Sequence, residues 1–388
     1  MNGASATRGY LDAGGHAPVH PMAREAFLAA WAEGWADPRR LHAEGRRARM
    51  LLDGARESVA ASLGARTEEV HFAPSLAQAL HHAVLGVARG RRRAGGRVTV
   101  GAVERAAVLH AAAAAAETHP EGTVDLVAAD RLGRVDIDEF RRSVAAPGCA
   151  LAALQHANGE VGTLQPVDDA LAACRSAQVP LLVDAAASVG HVDVGTSWDL
   201  LAADAGDWGG PGALAVLAVR SRVRWARTWP EDDAEGGWFP GGVSVPAALA
   251  AAASLAAVLR DRQEARERRH GLVSRLRDRI GAEVPAVQLV GDPKTRLPHV
   301  LTFSCLYVEG EAIVAELDRL GFSVGSGSAC TSATLTPSHV LAAMGALTQG
   351  NIRLVLPREA DSPMIERFCD VLPGAVARVR SALGIEDL

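Results

Sequence analysis

Three apolar runs that each stop at a polar residue constrain this chain most. Residues 151–157 run into Asn158-Gly159-Glu160-Val161-Gly162, residues 181–183 end at Asp184, and residues 214–219 are almost continuously apolar. A run without polar alternation fits a strand buried on both faces. Further short strands are expected at 70–72, 97–100 and 124–128. Helical periodicity falls around them at 21–35, 41–63, 75–90, 104–117 and 136–144. Strands alternating with helices imply right-handed βαβ units and a mostly parallel sheet, whose ligands sit beyond the carboxyl ends of the strands. Asn158, Asp184 and the segment after Ala205 fall at such ends.

After Trp238-Phe239-Pro240-Gly241-Gly242 the texture changes. One very long helix is expected over 244–280, apolar at first and then dense in mixed charge. A strand at 299–303, a helix at 309–320, a strand at 352–356 and a helix from 362 to about 383 follow. The expected fold class is therefore α/β. A large domain with a mostly parallel sheet flanked by helices spans 16–244, and residues 1–15 and 245–388 form a smaller α+β domain. A chain of 388 residues is long enough for two such cores.

Between the last two strands lies Gly325-Ser326-Gly327-Ser328-Ala329-Cys330-Thr331-Ser332, a small, polar stretch with one cysteine. Its glycines free the backbone, and Thr336-Pro337 is expected to cap and start the next helix. On local pattern alone, a surface turn with an incidental thiol is the simpler reading. The other cysteines, Cys149, Cys174, Cys305 and Cys369, are scattered without a Cys-x-x-Cys pair. A zinc ribbon or a disulfide framework is not expected, no metal site is assigned, and a reducing cytoplasm is the simplest setting.

A net charge of −5 gives no general attraction to nucleic acid or to an anionic membrane. No apolar run reaches the length of a membrane-spanning helix, and residues 1–8 lack the apolar core of a signal peptide. Among 40 Lys plus Arg there is a single lysine, Lys294. Any lysine-dependent chemistry must therefore use it or not occur.

Taken in order, these motifs resemble the cysteine desulfurases, pyridoxal-phosphate (PLP) enzymes of fold type I in the class V aminotransferase group. The resemblance runs from Tyr10-Leu11-Asp12 to the last helix. Leu41-His42-x-x-Gly45-Arg46, Val183-Asp184-Ala185, Tyr307-Val308-Glu309-Gly310-Glu311, Pro337-Ser338-His339-Val340-Leu341 and Ile352-Arg353 all match it. Asn158-Gly159-Glu160-Val161-Gly162 matches a segment that normally reads Asn-Asn-Glu-(Ile/Val)-Gly. The stretch Ser326 to Ser332 matches the catalytic-cysteine loop without departure. The resemblance implies that Asp184 holds the PLP pyridine nitrogen, that Asn158 lies near the cofactor, that Arg353 binds the substrate carboxylate, and that Cys330 takes the sulfur as a persulfide. In the family PLP is the electron sink, a lysine is its covalent tether, and the loop thiolate is the nucleophile.

The pattern breaks where the tether belongs. The family motif Ser-Gly-His-Lys before a Gly-Pro turn corresponds to Ala205-Gly206-Asp207-Trp208-Gly209-Gly210-Pro211, with Trp208 at the lysine position. Lys294 lies in a Gly-Asp-Pro-Lys-Thr turn, a surface loop by composition. The phosphate-binding Gly-(Ala/Gly)-Thr-Glu becomes Ser75-Leu76-Ala77-Gln78. The ring-stacking histidine becomes Arg105, the glutamine near the ring oxygen becomes Ala187, and the Arg-Ser-Gly-Thr segment becomes Phe239-Pro240-Gly241-Gly242. Asp184 and Asn158 are then vestiges of a cofactor site, no cofactor is expected unless the family function is retained, and Trp208 is expected to fill the cofactor's volume.

The leading expectation is a degenerate, PLP-free homologue acting in sulfur transfer as a partner or regulatory subunit, with Cys330 as a possible persulfide acceptor. It would form a homodimer, or a heterodimer with an active lysine-bearing paralogue, and pass sulfur to an acceptor protein. Two alternatives stand beside it: an active cysteine desulfurase or C–S lyase using non-covalently bound PLP, and a non-enzymatic scaffold.

Overall fold

A computed structural model describes residues 8–326 and 337–385. In chain order the strands and helices are β1 (Gly9–Tyr10), α1 (Pro21–Glu33), α2 (Ala43–Leu63), β2 (Val70–Ala73), α3 (Leu76–Gly90), β3 (Arg97–Gly101), α4 (Ala106–Glu117), β4 (Thr123–Val127), α5 (Ile137–Ala145), β5 (Cys149–Ala153), α6 (Val167–Ser176), β6 (Leu181–Asp184), β7 (Leu200–Asp204) and β8 (Ala215–Val219). The second part holds α7 (Val245–Arg260), α8 (Arg262–Glu283), β9 (Val287–Val290), β10 (Val300–Cys305), α9 (Gly310–Arg319), β11 (Phe322–Ser323), α10 (His339–Ala343), β12 (Asn351–Val355) and α11 (Ser362–Ala382).

The large sheet has seven strands in the order β2-β8-β7-β6-β5-β3-β4. Every neighbouring pair is parallel except those made by β8, which runs antiparallel to both β2 and β7. The fold is thus α/β with a mostly parallel sheet flanked by helices. β5, β6 and β8 are buried along their whole length, which is why their sequences are unbroken apolar runs. The helices start and stop on local chemistry. The His42 ring accepts from the Gly45 N–H at 3.2 Å to cap α2, and Gly64 ends it with a left-handed φ of 61°.

The very long helix expected over 244–280 is two helices. Asp261, at φ −113° and ψ 18°, interrupts them. The Asp261 carboxylate pairs with Arg358 from the segment after β12. The break separates two burial patterns. Ala248, Ala251 and Leu255 of α7 join the core shared with α2 and the large sheet. Leu272, Val273, Leu276 and Ile280 of α8 join a second core with β10, β12 and α11. Although the expected boundary lay at residue 244, the apolar α7 packs against α1 and α2 in the core of the large sheet. Leu11 sits in the second core, and β1 pairs with β11. The smaller sheet is antiparallel, in the order β12-β10-β9. Among the described residues no helix is long and apolar enough to cross a membrane.

Candidate functional site

Parallel pairing brings the carboxyl ends of β3, β5, β6 and β7 to one edge, and the candidate residues gather there. Asp184 is the last residue of β6 and is only 4% exposed. Its Oδ1 accepts from the Ala186 N–H at 3.0 Å. Its Oδ2 accepts from Nε of Arg105 at 2.6 Å. Arg105 is the N-cap of α4, but its side chain makes no cap bond and turns to Asp184 instead. The Asp184 charge, with further help from Asp207 and Asp204, raises the Arg105 pKa still higher.

Other acids at this edge are shut away from water. Glu104 is fully buried; its Oε1 accepts from the Gln155 N–H, and its Oε2 has no partner among the described residues. Burial pushes its pKa up to about 8. Asp207, in the short 3-10 turn Ala205–Trp208 after β7, accepts from the Gly15 N–H at 2.8 Å. Burial pushes its pKa up to about 7. Asn158 is buried, with both ends of its amide engaged. Nδ2 donates to the Val103 carbonyl at 2.9 Å, and Oδ1 accepts from the N–H groups of Glu160 and Val161 at 2.9 and 2.8 Å. It holds the turn after β5 in the manner of an Asx turn.

The smaller domain closes over this edge. Arg353 in β12 donates from Nη2 to Asp12 Oδ1 at 3.2 Å, while its buried Nε has no partner among the described residues. Gly325 exchanges backbone hydrogen bonds with Arg353, at 3.0 and 2.7 Å. A Cβ at Gly325 would stand 2.9 Å from Asp12 Oδ1, so glycine suits this close approach. Cys330 lies outside the described residues. On the far side of that segment, Ser338 Oγ donates to Glu160 Oε2 at 2.9 Å, and His339 Nε2 donates to the Glu104 carbonyl at 2.8 Å. Burial raises the Glu160 pKa to about 7. Both flanks of the cysteine loop are thus anchored, one at Arg353 and one at Glu104 and Glu160. Helix α10 begins at His339 with Ser338 as its cap, not at Pro337; the Ser338 hydroxyl accepts from the Leu341 N–H at 3.2 Å. Of the helix start expected at Thr336-Pro337, Thr336 lies outside the described residues.

Trp208 is 3% exposed, and its indole Nε1 donates to the Ala251 carbonyl of α7 at 3.1 Å. The side chain bonded to Asp184 is that of Arg105. Lys294 is exposed in the turn between β9 and β10, with its N–H on Asp292 Oδ1 at 2.8 Å. At the start of α3 the Ser75 hydroxyl accepts from the Gln78 N–H at 3.2 Å, capping the helix itself. Glu104 escaped the sequence reading, since a lone glutamate before a helix carries no sign that it will be sealed off. Arg105 was visible only as a departure from the family's histidine; its partner was not.

The aminotransferase class-V family profile matches residues 9–229 and 233–368. Among curated proteins, the chain is 32% identical over 381 residues to cysteine desulfurase IscS 1 of Archaeoglobus fulgidus, covering 96% of this chain and 98% of that one. It is 33% identical over 399 residues to a cysteine desulfurase of Cereibacter sphaeroides, covering 98% and 99%. Among solved structures, a NifS-like protein superposes with a TM-score of 0.88 at 22% identity, covering 96% of this chain and 100% of that one. The apo cysteine desulfurase of Thermococcus onnurineus NA1 superposes with a TM-score of 0.84 at 20% identity, covering 96% and 95%.

Proposed function

The chain belongs to the aminotransferase class-V family, with cysteine desulfurases as its homologues, and from that premise we propose a member that works in sulfur transfer without a Schiff-base PLP, as a partner or regulatory subunit. One observation carries the reading: the Arg105–Asp184 pair. The family is PLP-dependent, and the resemblance gives the Asp184 carboxylate to the cofactor's ring nitrogen. Here both carboxylate oxygens already have donors, and a cation lies against the acid. The one lysine of the chain is exposed on a turn of the smaller domain. The residues at this edge do not fit a PLP held in the family's way, so no step is derived through it.

Cys330 is then a sulfur acceptor. Its thiolate attacks the outer sulfur of a donor persulfide. The donor's S–S bond breaks, the donor leaves as a thiolate, and Cys330 carries the new S–S bond. No net oxidation occurs. The four other cysteines are buried and free, which supports a reducing, cytoplasmic setting. A partner subunit, either a second copy or a lysine-bearing homologue, has apolar surface to cover: Leu28, Trp31 and Trp35 on and after α1 are 61%, 65% and 70% exposed.

The test is to incubate the purified chain with labelled cysteine, with and without an active cysteine desulfurase, and to map added sulfur by mass spectrometry. The reading expects one extra sulfur on the Cys330 peptide, only when the active enzyme is present. Sulfide release by the chain alone would overturn it. That outcome is the second reading, an active enzyme with non-covalent PLP, which draws support from the unpartnered Nε of Arg353 as a carboxylate site.

A further inference from the structure

Beside Trp208 the two cores meet around a second polar group that the desulfurase-like site does not use. Arg269 of α8 is fully buried. Its Nε donates to the Ala265 carbonyl at 3.2 Å, and its Nη1 donates to Nδ1 of His191 at 3.0 Å. Its Nη2 is buried with no hydrogen-bond partner among the described residues. Among the described residues no carboxylate lies within ion-pair distance of it. A guanidinium stays charged even when buried, and a buried charge without a counter-charge is costly.

Asp207 and Glu359 border the same cavity, but neither forms an ion pair with Arg269. His191 Nε2 lies 2.9 Å from the Asp207 carbonyl, so it carries the proton and Nδ1 accepts from Arg269. The His299 ring stacks on His191, with centroids 3.9 Å apart, and its buried Nδ1 has no partner among the described residues. Burial holds both rings neutral by pushing their pKa values well down. Arg358 is already paired with Asp261, and Glu359 is exposed. These side chains, with Trp208, line a cavity with about 20 Å³ of space for water-sized particles. That is room for one water or one small ion, and too little for an oxyanion such as sulfate.

We propose that this cavity is a binding site for a single-atom anion of the halide class, held by Arg269 Nη2 and by the His299 Nδ1–H. The anion supplies a counter-charge in direct contact with the guanidinium. It also ties the Trp208 turn of the large domain to α8 and the His299 segment of the smaller one.

The test uses the full chain. Crystals soaked in bromide are examined for anomalous signal, and melting is compared in bromide and in gluconate at equal ionic strength. Gluconate is too large for the cavity. The expected results are a bromide peak within hydrogen-bond distance of Arg269 Nη2 and a Tm about 1–3 °C higher in bromide. The salt-specific part of that shift should vanish in Arg269→Met. If Arg269→Met does not fold, His299→Phe keeps the stacked ring and removes Nδ1, and it should reduce the shift. No bromide at the site, or equal Tm in the two salts for the unsubstituted chain, overturns the proposal.

Discussion

Arg105, at the start of α4, donates its Nε–H to the Asp184 carboxylate, at the end of β6, across 2.6 Å. The two ends of this pair sit in different surroundings. The Arg105 side chain is 40% exposed, while that of Asp184 is 3% exposed. The arginine keeps much of its hydration, and the aspartate depends on it. Removing the cation should therefore cost more than removing the acid. Arg105→Ala is expected to lower stability by about 1–3 kcal/mol, discounted for the solvent-exposed end. Asp184→Asn should cost less, and the double variant should recover part of the Arg105→Ala loss. Denaturant melts of the four proteins check this. Additivity within about 0.5 kcal/mol would show the two residues uncoupled.

Stability at this edge should fall as pH rises. Burial lifts Glu104 to about 8, and Glu160 and Asp207 to about 7, each from an ordinary value near 4. The native state thus holds protons that the unfolded chain has released. Between about pH 5 and 8 these groups make folding less favourable as pH increases. Buried His156, lowered to about 4 by burial, acts in the opposite sense below its ordinary value of 6.5. Glu104→Gln should leave Tm nearly unchanged at pH 5 and raise it at pH 8. An equal effect at both pH values would contradict the assignment.

Thiol reactivity should single out one cysteine. Cys149, Cys174, Cys305 and Cys369 are buried. Burial raises the thiols of Cys305 and Cys369 to about 11, and the thiolate is the form that reacts. Iodoacetamide applied to the native protein should label Cys330 alone, with the other four reacting only in denaturant. Rapid native labelling at any of the four would show that these cores open easily.

Asn158 tests whether a cofactor residue has become structural. Its amide satisfies two backbone N–H groups and one carbonyl in a buried turn. Asn158→Ala should cost about 2–4 kcal/mol in melts without any PLP present. A variant as stable as the parent would return the residue to a ligand-binding role.

Much of this architecture was legible in the sequence, because burial on both faces leaves a plain trace. The runs before Asn158 and Asp184 and the run at 214–219 gave the central strands. The strands β7 and β9 and the helix α6 were not picked out, being short and weakly patterned. The break at Asp261 was not legible because helical periodicity continues through it, and only the packing of α7 against α1 and α2 separates the two helices. At the site, the sequence showed that Arg105 departs from the family. It could not show that the arginine turns across the strand edge to Asp184, since that pairing joins positions 79 residues apart. The sealing of Glu104 and the isolation of Arg269 are likewise matters of burial, which depends on the whole fold.

The most direct measurement is PLP binding by the purified protein. The chain is incubated with PLP, its visible spectrum is recorded, borohydride is added, and the digested peptides are mapped. With Asp184 paired to Arg105 and Lys294 exposed on a turn of the smaller unit, the predicted result is no Schiff-base absorbance and no PLP fixed to a lysine peptide. A yellow protein with PLP fixed stoichiometrically at Lys294 would contradict the account.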